Sequence, residues 1–83
     1  MTVSAATICQ SGIAYPTAIE IARQMNAGAG NANANQLVAV GVTPQAATEL
    51  ARQINANSFD PHKLAMAGWH PEAAVVVKKT SGA

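Results

Sequence analysis

Apolar positions recur along this chain at the spacing of one helix face, stop, and recur again. Ala18, Ile21, Ala22 and Met25 form one stripe, and Ala47, Leu50, Ala51 and Ile54 form a second. Glu20 with Arg23, and Glu49 with Arg52, fall on the opposite side at i, i+3, as expected of a solvated face with local ion-pair support or of matched contacts to a repeated partner. The two stripes belong to copies of a longer unit. Residues 12–27 read GIAYPTAIEIARQMNA and residues 41–56 read GVTPQAATELARQINA. An offset of 29 residues brings Glu20, Arg23, Gln24 and Asn26 onto Glu49, Arg52, Gln53 and Asn55. A weaker third copy aligns Leu37–Ala47 with Leu64–Ala74 at an offset of 27, and Pro16 misses the register of Pro44 by one residue.

Each unit reads as a short helix, a tight turn and a longer helix. Gly12, Gly41 and Gly68 stand where the short helix should stop, because glycine alone takes a positive φ without strain. The apolar residue after each glycine (Ile13, Val42, Trp69) can fold back onto the helix it leaves. Pro44 and Pro71 suit the first position of the next helix, with Thr43 as an N-cap before Pro44. In the first unit Thr17-Ala18-Ile19-Glu20 spells a capping box, which would absorb the one-residue shift. Ser4, Asn33 or Asn35, and Asp60 are expected to open the short helices, while the polar, glycine-rich stretches 28–35 and 55–58 stop the long ones.

These elements predict an all-α single small domain over residues 1–83. It should contain about three helical hairpin repeats, spanning roughly 4–27, 34–56 and 60–79. The third copy breaks the pattern at Val75-Val76-Val77-Lys78-Lys79, where consecutive β-branched residues lower helix propensity. That segment reads either as a truncated capping half-repeat or as an extended C-terminal arm that adds to another subunit. Thr80–Ala83 reads as a flexible end.

Composition changes the picture in one direction. A chain of 83 residues buries only about 60% of the surface its unfolded form exposes. Here the 49% of hydrophobic residues includes few large ones, since aromatics are 4% and alanine dominates. Such a domain is marginal alone and gains from burial against copies of itself or a larger body. Charged residues are 11%, well under the usual share of about 25%, which argues against both a disordered tail and a highly soluble free protein. A net charge of +1 supplies no strong field for nucleic acid. The residues 1–6 lack the basic start and apolar run of a secretory signal, and nowhere are there 18 uninterrupted apolar residues, so neither export nor a membrane span is expected.

Catalytic chemistry finds little to work with. Cys9 is the only cysteine, so it can make no internal disulfide, and it reads as a small buried hydrophobe. Cys9, His62 and His70 could supply a nucleophile and a base, but nothing in their spacing brings them together. His62 lies just inside a short helix and His70 precedes Pro71 in a turn, both as surface or capping residues. Asp60, His62, His70 and Cys9 lack a metal-ligand spacing, and the 4 acidic residues make no carboxylate pair. No catalytic, cofactor-binding or metal residue is assigned, and the chain is not expected to be an enzyme.

Binding roles remain. Leu37–Ala47 resembles the turn of a helix-turn-helix, with Gln45, Arg52 and Gln53 as the base-reading candidates opposed by Glu49. It also resembles the opening of ubiquitin-associated three-helix modules. A third resemblance covers most of the chain. Glycine-turn-proline repeats followed by Ala-rich helices ending Arg-Gln-Met-Asn-Ala or Arg-Gln-Ile-Asn-Ala, over Gly12–Ala27, Leu37–Ala56 and Leu64–Ala74, are similar to those of small bacteriophage virion proteins of heads, head fibres and tails. That resemblance carries no catalytic motif and implies a structural accessory protein, made in the bacterial cytoplasm and located in the virion. It also implies capsid, neck or fibre subunits and copies of itself as partners. Tyr15, Phe59 and Trp69 are then the expected aromatic anchors, with Arg23 and Arg52 as repeated contacts. Trp69 alternatively plugs the core between the short helices, and Trp69→Ala distinguishes the two, reducing incorporation more than helicity if Trp69 is an anchor and abolishing the helix signal if it is core.

Overall fold

Three helical hairpins follow one another and close into a ring. The structure, a computed structural model, describes residues 3–81. Among these it holds six α-helices, alternately short and long: α1 (Ala5–Cys9), α2 (Tyr15–Ala27), α3 (Ala34–Ala39), α4 (Pro44–Ala56), α5 (Pro61–Met66) and α6 (Pro71–Thr80). Each short helix packs on the long one after it, and α2 and α4 also meet the next short helix. The last hairpin then returns to the first, because α6 packs against α1. The array therefore measures 27 × 25 × 23 Å instead of extending as an open stack.

The turns explain why the offsets 29 and 27 are so legible. Gly41 and Gly68 have φ of 104° and 95°, a region that L side chains rarely enter. Behind them the amide of Val42 donates to the Leu37 carbonyl (3.1 Å) and that of Trp69 to the Leu64 carbonyl (3.0 Å), the six-residue closure of a Schellman turn. In the first hairpin the Ser11 hydroxyl donates to the equivalent carbonyl, that of Ile8 (2.5 Å). Gly12 has φ of 102°, again a region that L side chains rarely enter, and the exposed His70 ring lies over it, its Nε2 3.2 Å from where a Cβ would stand.

Helix starts follow the polar residues. Asn33 Oδ1 accepts the amides of Asn35 and Gln36, Asp60 Oδ1 those of His62 and Lys63, and Thr43 Oγ1 that of Ala46. Ser4 occupies the N-cap of α1 by backbone geometry without a side-chain cap bond. Pro44 and Pro71 open α4 and α6, while α2 opens one residue ahead of its proline, at Tyr15. The one-residue mismatch of the prolines is absorbed there, not by a capping box. Thr17 is buried inside α2, and its hydroxyl donates to the Val40 carbonyl of the next hairpin (2.6 Å).

The core repeats with the hairpins. Ile8, Leu37 and Leu64 from the short helices and Ile21, Leu50 and Val77 from the long ones are all completely buried in one cluster. Ala18, Ala47 and Ala74, also completely buried, let the helices approach closely. Val77 shows why the C-terminal segment is helical and not an extended arm. Only a helix places Val77 below Ala73 and Ala74 on one face, and burying it outweighs a propensity deficit of about 0.5 kcal/mol per β-branched residue. The expected flexible end is also shorter, since Thr80 completes α6 and Ser81 caps it; Gly82 and Ala83 lie outside the described residues.

Candidate interaction surface

The hairpins are joined by side-chain amides that repeat with them. Gln24 is buried, and its Nε2 donates to Glu20 Oε2 (2.8 Å) and to the carbonyl of Asn33 (3.1 Å), while its Oε1 accepts the Asn33 amide (3.2 Å). Gln53 does the same with Glu49 (2.8 Å), the Asp60 carbonyl (3.2 Å) and the Asp60 amide (3.0 Å). Asn33 and Asp60 are the N-caps of the following short helices, so each glutamine clamps the entrance to the next hairpin. Asn26 and Asn55 clamp the entrance to their own hairpins, each bonding both backbone groups of one residue, Val3 and Ala32 respectively. In the third hairpin Lys78 Nζ donates to the carbonyl of Phe59, the residue matching Val3 and Ala32 (3.3 Å). The repeated Arg-Gln-x-Asn run was the signal for these clamps, but its periodicity alone did not say that Gln24 and Gln53 point inward.

The ion pairs lie just outside them. Arg23 bridges to Glu20 and reaches the neighbouring hairpin through Gln36 Oε1 (2.6 Å); Arg52 bridges to Glu49. The Arg23 hydrogen bond, assisted by Gln24, holds the Glu20 carboxyl below its ordinary pKa of 4.5 against the opposing effect of burial. Arg52, then Gln53, do the same for Glu49, where Lys63 adds a further favourable charge. Because the folded carboxyls release their protons more readily than the unfolded ones, they stabilise the fold above about pH 4.5 and lose that contribution as pH falls through their lowered values. Thermal melts should therefore be flat from about pH 7 to about 5 and fall below about 4.5, with Glu49→Gln flattening part of the acid limb.

The expected site residues separate into two groups. Phe59 and Trp69 are 93% buried within the core, each 7% exposed, and cannot serve as surface anchors. Tyr15 is 56% exposed, and Arg23 and Arg52 are exposed beside their glutamates. Gly12, Gly41 and Gly68 form the turns, with Pro44 and Pro71 at the following helix starts. Burial of Gln53 withdraws one of the three base-reading candidates on α4, while Gln45 and Arg52 stay exposed, Arg52 paired with Glu49. Cys9 packs half-buried against the core, His70 lies over Gly12, and His62 is exposed on α5. Among the described residues no three His, Cys, Asp or Glu side chains are grouped as a metal ion would require.

What the surface does offer is apolar area along the grooves between hairpins. Thr48 and Met66 line the groove between α4 and α5, with Met66 71% exposed. Ile19 and Val75 hold the place of Thr48 in the other two hairpins and are 45% and 55% exposed. The groove between α1 and α6 is lined by Thr7, Gln10, Val76 and Lys79, and Val75 and Val76 flank an almost wholly apolar depression beside it. No helix among the described residues is long and apolar enough to cross a membrane. No family model, curated protein or solved structure matches the chain.

Proposed function

We propose that this chain works by protein–protein assembly, as a small structural component of a bacteriophage virion carried on the capsid, a head fibre or the tail. The observation that supports assembly is the placement of Ile19 in the first hairpin and of Met66 and Val75 in the third: large, exposed apolar side chains on a surface that is poor in charge. Buried clamps make the hairpins rigid, so these side chains are displayed in a fixed arrangement with little ordering entropy to lose on docking. The setting in a virion rests on the resemblance of the Gly-turn-Pro repeats to small virion proteins.

The test is to purify particles from a host carrying the gene and assay them for this chain by mass spectrometry. Recovery in stoichiometric amount is expected, and incorporation should fall when Ile19, Met66 and Val75 are replaced by serine, with the melting temperature retained. Particles devoid of the chain overturn the virion reading. A salt-titrated DNA-binding measurement separates the helix-turn-helix alternative, which requires affinity that falls steeply with salt.

A further inference from the structure

We infer that α6 is the face through which two copies of this chain pair, antiparallel, about a two-fold axis. Glu72, Val75, Val76 and Lys79 stand at i, i+3, i+4 and i+7, a single stripe along the helix. Val75 and Val76 form its centre, with an acid at one end and a base at the other. A two-fold axis between residues 75 and 76 sets Glu72 of each copy against Lys79 of the other and packs Val75 against Val76. Both charges are exposed, and neither enters a salt bridge among the described residues.

The comparison with α2 and α4 makes this stripe distinctive. There the acid and base are Glu20–Arg23 and Glu49–Arg52, one turn apart and already bonded to each other. In α6 a valine, Val76, takes the place of that glutamate, and the acid stands one turn earlier at Glu72. Glu72 and Lys79 are then separated by about 10 Å along the helix, too far to pair within one copy. The self-complementary order acid–apolar–apolar–base suits a second copy better than a uniformly charged partner. Thr7 and Gln10 of α1 widen the contact. Even so, a face of this length falls short of the roughly 800 Å² per partner of a standard stable interface, so the dimer is weak and dissociates on dilution.

This pairing rests on the assembly reading but is tested apart from it, by sedimentation equilibrium of the purified chain from about 5 to 500 μM. The average mass should rise from monomer towards dimer. Glu72→Lys and Lys79→Glu should each raise the dissociation constant about tenfold, since either puts like charges together at two symmetry-related places. The double exchange Glu72→Lys with Lys79→Glu should restore pairing to within about threefold, and Val75→Asp should abolish it with the helical melt unchanged. A chain that stays monomeric throughout, or a dimer indifferent to the charge reversals, overturns the inference; incorporation into particles by such a monomer would leave the assembly reading standing.

Discussion

Trp69→Ala is expected to lower the unfolding free energy by roughly 3–5 kcal/mol, and the melting temperature by about 15–30 °C. The indole follows the Gly68 turn, where its amide is tied to the Leu64 carbonyl, and it is 93% buried, with 7% exposed. It lies at the end of the molecule where the three turns converge, near Gly12, Ile13 and Val42. A cavity there removes packing from all three hairpins at once, so little of it can relax away. Of the two readings of Trp69, anchor and core plug, its burial favours the plug, so its loss should not spare helicity. Circular dichroism melts check it, with Tyr15→Ala beside them: Tyr15 is 56% exposed and its loss should cost no more than about 0.5 kcal/mol. A Trp69→Ala melt within a few degrees of the parent would place the indole outside the core.

The contrast between Tyr15 and Trp69 shows what the sequence could and could not reveal. Both are aromatic and follow a helix-stopping glycine, but only Trp69 shares the place of Ile13 and Val42 in the repeat. Trp69 occupies the position directly after Gly68, which folds back onto the short helix, whereas Tyr15 already begins α2 and points away. The glycine turns, the caps at Asn33, Thr43 and Asp60, and the apolar faces of α2 and α4 were legible because each depends on neighbours within a few residues. Closure of the ring was not. It depends on α1 meeting α6 across nearly the whole chain, and no local preference records that. The same holds for α6 itself. Three successive valines disfavour a helix locally, and only the burial of Val77 against the other hairpins decides the matter.

The glutamine clamps lie between these cases: repeated in the sequence, yet interpretable only with the next hairpin in place. Gln53→Ala should cost about 2–4 kcal/mol, more than its volume alone predicts. Three hydrogen bonds are lost together, and the amide and carbonyl of Asp60 are left at a junction that the missing side chain had filled. Gln53→Glu should be nearly as damaging although it conserves shape, because a carboxylate oxygen in place of Nε2 would face the Glu49 carboxylate and the Asp60 carbonyl, both acceptors. Asn55→Ala, at an exposed position, should cost only about 1 kcal/mol. Hydrogen exchange locates the effect: in Gln53→Ala the amides of α5 should exchange faster relative to those of α3, whose entrance Gln24 still holds. The junction of α6 with α1 offers an internal standard. Thr80 takes the place of the glutamine there and turns its hydroxyl to the Val77 carbonyl of its own helix (3.2 Å). α1 should accordingly exchange fastest of the short helices in the parent chain, and α5 should approach it once Gln53 is gone. Uniform exchange across α1, α3 and α5 in both proteins would mean that the helices are held by their apolar faces alone.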